Sequence, residues 1–513
     1  MSIKQPGKPK AFNDPIHGLI QLDWVYVRII DTTEFQRLRN IKQLGTAHLV
    51  YPSAIHTRFE HSIGTCHLAL KLVHHLQKDE SLKISKKDQL CVGLAALLHD
   101  IGHGPFSHLF EKIVKTGVLG KDIARTWKHE LASIKIFDLM IKKYKLLEHF
   151  SSCGYTRDNE MTMDEIHLVK EMIFGPLEKS STGSNSYKKA TKYQSPLPAD
   201  KYFLYEIVSN HTSGVDVDKW EYFARDCYHL GIANNFSYDR FIEFSKALVT
   251  DKKSGKRQIC LRDKEDHNVY EMFHTRYRLY RQAYYHAVTL GTEAMITDII
   301  AAAADHFEVR PGKPGANPES YRIKSAFDDM ETYLLLDDTI LQLICHDAQR
   351  NPNLESAVQL YNRLLERDIY KVMKKIVIPA NRNIPDKAVL DLNDIITAGG
   401  NVVEHLKVEH LYFKLVKYNY GKKEENPVDN VYFYSKDNEK EPFTTTREKV
   451  SHLLPYTFEE RHLLIFVKER DDKIIAEARQ CIDSWHTAKF QDWLCQFAEK
   501  NDKGTQTELL QDQ

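Results

Sequence analysis

The stretch SKKDQLCVGLAALLHDIGHGPFSH, residues 85–108, decides the fold class of this chain. Ser85 and Asp88 stand three residues apart, which is the spacing of a helix-capping box. The residues that follow are almost all apolar, so the pattern predicts a helix that is buried on every side. The two glycines and the proline of HDIGHGPFSH do not continue a helix well, and they predict its end within that segment.

Two polar residues at the end of this helix, His99 and Asp100, indicate a functional site. Both side chains are costly to bury unless they are paired or bound to a metal. Imidazole together with carboxylate suits a transition metal such as Fe, Mn or Zn better than Ca²⁺. Two residues do not complete such a site. The expected partners are His61, near the start of an amphipathic helix, and an aspartate of GVDVDKWEYFARD, in which Asp216 and Asp218 are both candidates.

The charge balance and the cysteines narrow the classes of function. The 513 residues carry 71 Lys and Arg against 71 Asp and Glu, so a globally basic nucleic-acid-binding protein is not indicated. The apolar run CVGLAALL is well short of the roughly 20 residues that cross a membrane. The N-terminus MSIKQPGKPK lacks the apolar core of a secretory signal. The 8 cysteines are scattered without a CxxC pair, which suits reduced thiols, and we expect an intracellular protein of the nucleus or cytoplasm.

The chain divides into a large helical region and a smaller C-terminal part. Apolar residues at three- and four-residue steps predict a helix over 58–76, and polar loops are expected at 178–200 and 310–320. Beyond about residue 365, the β-branched and aromatic runs KKIVIPA, HLYFKLVKYNY, NVYFYSK and HLLIFVKER predict strands. We therefore expect a mainly α fold with a smaller mixed α/β lobe. The predicted units are a flexible arm (1–10), a helical core (11–365), a mixed α/β regulatory and oligomerisation lobe (366–490) and a partly disordered tail (491–513).

Several longer motifs give the chain a family resemblance. FNDPIHG, FQRLRNIKQLG, RFEHSIG, HDIGHGPFSH and GVDVDKWEYFARDC follow one another along the sequence. With an H…HD…D signature at His61, His99–Asp100 and Asp218, the chain resembles the HD-domain phosphohydrolase superfamily. It resembles the animal SAM-and-HD-domain deoxynucleoside triphosphate triphosphohydrolases more closely, from about residue 10 to residue 490. The resemblance implies an HD-domain catalytic core, and we expect no SAM domain because only a short arm precedes FNDPIHG.

The resemblance implies a metal-dependent enzyme that converts a dNTP to a deoxynucleoside and inorganic triphosphate. The implied divalent ion is Zn, Fe or Mn, with Mg²⁺ on the substrate phosphates, and its ligands are His61, His99, Asp100 and Asp218. Such an ion polarises a phosphate oxygen and lowers the pKa of bound water to about 7. His108 or His129 is expected to donate a proton to the leaving oxygen. The residues implied around the phosphates are His103, His108, His129 and Glu130.

The residues expected to hold the substrate combine cations, tyrosines and small polar groups. Arginines clamp phosphate with two hydrogen bonds, and tyrosines stack on a sugar or base. By resemblance, Tyr284 and Leu44 crowd the ribose 2′ position, which excludes ribonucleotides. Gln43 and Asp226 are implied to hold the 3′-hydroxyl. Asp216 is expected to orient a metal ligand. The other implied contacts are Arg58, His103, His108, His129, Lys219, Tyr222, Arg276, Tyr280 and Tyr285.

The resemblance also implies activation by nucleotides that bind between subunits and assemble a homotetramer. The residues that match a GTP or dGTP site are Lys10, Ala11, Asp31, Gln36, Arg39, Arg367 and Lys371. The residues that match a dNTP activator site are Asn13, Arg240, Arg262, Lys264, Asn268, His286, Val288 and Lys436. The sequence departs from the family pattern at Ser237, Tyr280, Gln282, Tyr285, Ala287 and Ser435. These departures affect activator affinity, base preference and redox control more than catalysis.

Two other functions are compatible with the residues. The basic loop DKKSGKR at 251–257 and the stretch HTRYRLYRQAYYH suit a nucleotide-controlled protein that binds single-stranded nucleic acid. An HD-type phosphodiesterase or nuclease would use the same metal chemistry on another substrate. Zero net charge and intact metal ligands favour the dNTP triphosphohydrolase. Roles in dNTP catabolism and antiviral defence are further expectations from the resemblance.

Overall fold

The computed structural model describes residues 7–152, 161–175, 197–309, 322–378, 391–400 and 403–489. Most of the predicted loop at 178–200, the predicted loop at 310–320 and the predicted tail lie outside the described residues. The helices are α1 Trp24–Ile30, α2 Thr33–Gln36, α3 Arg58–Leu76, α4 Lys86–Leu98, α5 His108–Lys115, α6 Lys121–Thr126, α7 His129–Tyr144, α8 Leu146–Ser152, α9 Met163–Phe174, α10 Phe203–Val208, α11 Val217–Leu230, α12 Tyr238–Glu243, α13 Asp266–Leu279, α14 Ala287–Ala303, α15 Met330–Tyr333, α16 Ile340–Ala348, α17 Glu355–Leu365, α18 Leu392–Gly399, α19 Arg447–Val450 and α20 over 472–489. The strands are β1 Lys10–Asp14, β2 Gly18–Leu22, β3 Ser245–Asp251, β4 Lys256–Arg262, β5 Lys371–Ile378, β6 Leu411–Asn419, β7 Tyr432–Tyr434, β8 Phe443–Thr444 and β9 Glu459–Val467.

The two helices predicted around the signature residues, α3 and α4, lie in the core. In α3, the Glu60 carboxylate accepts a hydrogen bond from Thr57 N at 2.6 Å, which completes a capping box. In α4, Asp88 Oδ2 accepts from Ser85 N at 2.8 Å, as the spacing predicts. Every α4 residue from Leu90 to Leu98 is buried, and each large aliphatic side chain among them stabilises the fold by about 1.5–3 kcal/mol relative to exposure. The predicted mainly α class and the predicted buried helix are both confirmed.

The chain after α4 turns at Phe106 and Ser107. Both residues have a left-handed backbone, with φ of 60° and 58°, which is unfavourable for residues other than glycine. Asp338 Oδ1 holds this turn by accepting from Phe106 N at 2.6 Å. Gly102 is required for close packing rather than for the turn, because a Cβ atom there would lie 2.2 Å from the carbonyl oxygen of His129. The glycine therefore allows the loop to approach α7 closely.

The four strands predicted beyond residue 365 are present, but they belong to two sheets. β5, β9 and β6 form an antiparallel sheet in that order, over an apolar cluster that includes Ile376, Leu463 and Ile465. β7 pairs in parallel with β4, with Cys260 opposite Tyr432, in a sheet of order β3-β4-β7-β8. The chain therefore returns from the C-terminal lobe to the helical core before it forms β9.

Two hairpins interrupt the region that periodicity predicts as helical. β1 pairs with β2 from Lys10 opposite Leu22 to Asp14 opposite Gly18, so the end of the predicted arm is already part of a strand. β3 pairs with β4, and the predicted basic loop at 251–257 consists of the turn between them and the adjoining ends of both strands. The short, largely exposed β1 carries too few apolar residues for a period of two to be recognised.

The Arg/Tyr stretch forms the end of α13 and one π-helical turn over Tyr280–Tyr284. Tyr285 N donates to the carbonyl oxygen of Tyr280 at 2.9 Å, which is the i to i−5 bond of a π turn. Such turns are rare and occur frequently at functional sites. Among the described residues, no helix is both long enough and apolar enough to cross a membrane.

Candidate active site

Four side-chain donor atoms meet where α3, the end of α4 and the start of α11 come together. His61 Nε2 lies 3.3 Å from His99 Nε2, 3.3 Å from Asp100 Oδ2 and 3.2 Å from Asp218 Oδ1. His99 Nε2 lies 3.4 Å from Asp100 Oδ2 and 3.3 Å from Asp218 Oδ1. Donor atoms that are 3.2–3.4 Å apart can bind the same ion at the roughly 2.0–2.2 Å that is typical of imidazole and carboxylate ligands. The spacing fits a transition-metal ion, and Asp218 joins the cluster whereas Asp216 does not.

Neighbouring acceptors fix the orientation of both imidazole rings. His61 Nδ1 donates to Glu221 Oε2 at 2.5 Å, and His99 Nδ1 donates to the carbonyl oxygen of Ala96 at 2.8 Å. In its neutral form, each ring therefore has its lone pair on Nε2, the atom that faces the cluster. Gly64 makes room for this arrangement, because a Cβ atom there would lie 2.3 Å from Glu221 Oε1.

The four residues carry strongly shifted pKa values. Burial opposes protonation of His61, but three carboxylates around the ring outweigh it and raise its pKa well above the usual range. Burial also opposes protonation of His99, and Asp100 and Asp218 raise its pKa to about 10. Burial would raise the pKa of Asp100, yet a neighbouring arginine and histidines hold it well below the usual range. The histidines lower the pKa of Asp218 against the same effect of burial. The buried carboxylates thus stabilise positive charge at this point, and a divalent cation can supply that charge in place of protons on the histidines.

A cavity of about 610 Å³ lies beside this cluster. Its wall combines metal-ligating, cationic and aromatic side chains, as expected for a site that binds an anionic organic substrate. The predicted residues that line the wall are Gln43, Leu44, Arg58, His99, Asp100, His108, His129, Glu130, Asp218, Lys219, Tyr222, Asp226, Tyr280, Tyr284 and Tyr285. Three predicted substrate contacts, His103, Asp216 and Arg276, are not part of the wall.

His103 lies behind the wall. Only 1% of its surface is exposed, and its ring stacks on His129 with the centroids 4.1 Å apart. Its Nε2 lies 3.2 Å from Asp100 Oδ1. Burial and the positive charge of Arg58 lower its pKa well below the usual range, so the ring is neutral. Direct contact with phosphate is not available to His103 in this arrangement, and the ring instead supports His129 and Asp100.

Asp216 and Arg276 also act on residues of the wall. Asp216 caps α11, where its Oδ1 accepts from Lys219 N at 3.1 Å and its Oδ2 accepts from Lys219 Nζ at 2.8 Å. Arg276 donates to Asn419 Oδ1 at 2.9 Å, and its guanidinium lies 4.4 Å from the centre of the Tyr280 ring. Asp216 therefore orients Lys219, and Arg276 supports Tyr280 from outside the cavity.

His129 has a carboxylate partner that was not singled out from the sequence. Its Nδ1 lies 2.8 Å from Glu111 Oε2, and Glu130 lies beside it in the wall. Glu111 follows His108 by three residues on α5, and this helical spacing is the signal that could have identified it. Solvent reaches the His108 ring through the cavity, but enclosure by the walls and the charge of Arg58 lower its pKa to about 3. At neutral pH, His108 is therefore uncharged.

Tyrosines form another part of the wall. The Tyr280 ring lies 4.9 Å from that of Tyr284 and 5.0 Å from that of Tyr285, both edge-on. The Tyr284 hydroxyl donates to Asp226 Oδ2. Leu44 lies in the same wall. The π turn brings three tyrosines of one segment to a single cavity, together with the polar residues predicted for the sugar.

The residues predicted for the GTP site fall into two groups. Lys10 Nζ lies 3.4 Å from Asp31 Oδ1, and Arg39 Nε donates to Gln36 Oε1 at 2.8 Å. Within the described ranges, no hydrogen bond or ion pair links the two groups. The first group, around β1 and α2, is Lys10, Ala11, Asp31, Gln36 and Arg39, and the second, before and at the start of β5, is Arg367 and Lys371.

Two of the residues predicted for the dNTP activator site, Arg240 and Asn268, contact Glu265, a carboxylate that was not predicted from the sequence. Glu265 is fully buried, and its Oε2 accepts from Arg240 Nε and from Asn268 Nδ2, both at 3.0 Å. Ser237, where the resemblance implies an aspartate, donates its backbone N–H to Asn268 Oδ1 at 2.9 Å. The remaining predicted residues lie on β1, on β4, in the turn after β4, at the start of α14 and just after β7, and they are Asn13, Arg262, Lys264, His286, Val288 and Lys436.

Comparisons with known proteins agree with this site. The HD domain family matches residues 58–198. The chain is 39% identical over 482 residues to deoxynucleoside triphosphate triphosphohydrolase SAMHD1 of Gallus gallus, covering 93% of this chain and 75% of that protein. It is 40% identical over 480 residues to the Homo sapiens protein of the same name, covering 93% and 73%. It is 33% identical over 463 residues to the SAMHD1 homolog of Dictyostelium discoideum, covering 90% and 78%.

Proposed function

Because the chain belongs to the SAMHD1 family of deoxynucleoside triphosphate triphosphohydrolases, we propose that its cavity hydrolyses a dNTP to the deoxynucleoside and inorganic triphosphate. The convergence of four donor atoms at the edge of a 610 Å³ cavity carries this proposal. Attack takes place at the α-phosphorus, because the triphosphate leaves as one unit. The cavity must therefore hold all three phosphates and the sugar.

An HD domain implies a divalent metal, and the residues that would hold it here are His61, His99 and Asp100, together with Asp218 beside the two histidines. Their imidazole and carboxylate donors favour Zn, Fe or Mn, with Mg²⁺ on the substrate phosphates. When bound, such an ion supplies an activated water and polarises a phosphate oxygen. Glu221 and the Ala96 carbonyl keep both Nε2 atoms ready to bind it.

Arg58 and Lys219 hold the phosphates nearest to the metal ligands. Arg58 donates to Asp100 and, at 3.0 Å, to Ser107 Oγ, so its guanidinium stays fixed at the wall. Lys219 is held by its contact with Asp216. Cations fixed in this way stabilise the charge that develops on the transferred phosphorus without reorganisation.

His129 donates the proton to the leaving 5′-oxygen. Glu111 accepts from its Nδ1, which orients the ring and leaves Nε2 for the substrate. His108 is less suited to this step, because its pKa of about 3 keeps the ring neutral. His108 and Glu130 instead contact the phosphates or their bound Mg²⁺.

The sugar is selected by the tyrosine side of the wall. Tyr284 and Leu44 close the space around C2′, so a ribonucleotide meets both a steric barrier and a hydroxyl without a partner. Gln43 and Asp226 hold the 3′-hydroxyl. Tyr280 and Tyr285, which replace a histidine and a glutamine of the family pattern, give the base an aromatic surface.

GTP or dGTP and a dNTP activate the enzyme by assembling a homotetramer. Among the described residues, no hydrogen bond or ion pair links the group around Lys10 to the pair Arg367 and Lys371, as expected if the two groups meet in a GTP site built between subunits. Around Glu265, the dNTP site retains Arg240 and Asn268. With Ser237, Gln282 and Ala287 in place of charged residues, we expect weaker activator binding than in the family pattern.

Removal of one ligand tests the metal-dependent reaction. Asp218→Ala should lose bound metal and lower dGTP hydrolysis in the presence of GTP by at least about 100-fold, because the cluster loses a ligand that also orients His61 and His99. Asp122→Ala, at an almost fully exposed aspartate on α6, should retain both properties. Metal analysis and a product assay on the two variants give the readout. Unchanged turnover in Asp218→Ala would be incompatible with the proposed function.

A further inference from the structure

We infer that His56, a buried residue outside the cavity wall, positions both residues that hold the sugar 3′-hydroxyl. His56 thereby sets the preference for nucleotides that carry this hydroxyl. It touches neither the metal cluster nor the cavity, so its role is a positioning one. The inference rests on the proposed function, and it adds a residue that neither the motifs nor the metal site required.

Two separate hydrogen bonds connect His56 to the wall. Its ring Nε2 lies 2.7 Å from Asp226 Oδ1, and its carbonyl oxygen accepts from Gln43 N at 2.9 Å. Asp226 and Gln43 both line the cavity, although they are far apart in the sequence. One residue therefore fixes the backbone of Gln43 and the carboxylate of Asp226 relative to each other.

The carboxylate of Asp226 is held on both sides. His56 binds Oδ1 and the Tyr284 hydroxyl binds Oδ2, while a carboxylate has about four lone-pair sites in all. The remaining lone pairs are free to accept from a hydroxyl in the cavity. Loss of the donor at Oδ1 would allow the carboxylate to rotate about its terminal torsion, which is soft for aspartate.

The surroundings of His56 suit a fixed donor. The residue is 2% exposed, and among the described residues its Nδ1 has no hydrogen-bond partner. The tautomer with its hydrogen on Nε2 is therefore favoured, because only that nitrogen has an acceptor, Asp226. The ring of His229 stacks on that of His56 with the centroids 4.3 Å apart and the planes 14° apart, and Ser53 O contacts His229 Nδ1 at 3.2 Å. This stack fixes the plane of the His56 ring.

A pair of amide substitutions tests the inference. His56→Gln can place a side-chain N–H near the position of Nε2, whereas His56→Asn is too short to reach Asp226. We would measure kcat/KM for dGTP and for 2′,3′-dideoxy-GTP with the metal-loaded, GTP-activated enzyme. His56→Asn should lose about 10- to 100-fold with dGTP, the loss expected for one charge-assisted hydrogen bond, and little with the dideoxynucleotide. His56→Gln should recover most of the difference, and His346→Asn, the control at an exposed histidine on α16, should retain the selectivity.

Each outcome decides for or against the inference. Equal losses with both nucleotides, or equal behaviour of His56→Gln and His56→Asn, would overturn it, because a purely structural residue lowers both reactions together. A wild-type enzyme that hydrolyses both nucleotides equally well would also overturn it while leaving the proposed function intact. No turnover of either nucleotide by the wild type would overturn both. If His56→Asn has a lowered thermal unfolding midpoint, the selectivity ratio of its folded fraction still decides, since a ratio does not depend on the active concentration.

Discussion

Glu221 determines which nitrogen of His61 can bind a metal. It accepts from Nδ1 at 2.5 Å, and both residues are fully buried. Glu221→Gln preserves the volume but can present an N–H to Nδ1, which favours the wrong tautomer. We expect metal affinity to fall by about 10- to 100-fold. Competition with a chelator measures this affinity, and Glu424→Gln, at an exposed glutamate, is the matched control. The same affinity in all three proteins would contradict the role assigned to Glu221.

At the residue scale, the sequence predicts the metal ligands better than it predicts the residues that orient the side chains of the site. The pair His99–Asp100 is recognisable because two ionisable residues end an apolar helix, and His61 and Asp218 complete its signature. Glu221 was within reach of sequence reasoning, since it follows Asp218 by three residues on α11. His56 was not, because its partner Asp226 is 170 residues away and no local pattern joins them.

The turn that follows α4 depends on a distant aspartate. Asp338 Oδ1 accepts from Phe106 N at 2.6 Å, and Oδ2 accepts from Lys42 N at 3.0 Å. Asp338→Ala leaves two backbone N–H groups without their acceptor next to a left-handed turn. We expect the free energy of unfolding to fall by about 2–4 kcal/mol and kcat to fall with it, because this turn carries His108. Denaturant titration measures the loss, and Asp328→Ala, at an exposed aspartate, should show little change. A stability equal to that of the wild type would refute the role of Asp338 in the turn.

At the element scale, the helices with strong periodicity were predictable and the short strands were not. The bounds of α4 follow from its capping box and its apolar run. β1 has five residues, mostly exposed, so tertiary pairing with β2 rather than its own pattern makes it a strand. The chain reversal after α4 shows the same limit. Glycine and proline predicted a break, whereas the left-handed residues are Phe106 and Ser107.

The whole molecule should lose stability in mild acid. Burial and nearby cations lower the pKa of His67 and of His149 to about 4, against about 6.5 in an unfolded chain. Between these values the unfolded state binds more protons, so the free energy of unfolding falls as the pH decreases from about 6.5 to about 4. The thermal unfolding midpoint at pH 6.5 and pH 5 measures this effect, because the groups with a raised pKa, such as His99, are already largely protonated in both states at these pH values. His149→Gln should reduce the drop, and His452→Gln, at an exposed histidine, should not. A midpoint that does not fall at pH 5 would contradict the account.

At the scale of the whole chain, the mainly α class follows from the motifs and the helical periodicity. The path of the chain between the helical core and the C-terminal strands cannot be predicted from these patterns. β7 was expected to belong with the other C-terminal strands, yet it pairs with β4, and Cys260 and its partner Tyr432 are 172 residues apart in the sequence. Strand partners this distant depend on how the helices pack, which the local pattern does not encode.

Hydrolysis of dGTP in ¹⁸O-labelled water tests the central claim most directly. The metal-loaded protein, with GTP present, should yield deoxyguanosine and inorganic triphosphate in equal amounts, with one ¹⁸O atom in the triphosphate. This result follows from attack of water on the α-phosphorus and departure of the 5′-oxygen. Formation of dGMP with pyrophosphate, or ¹⁸O in the deoxyguanosine, would contradict the account.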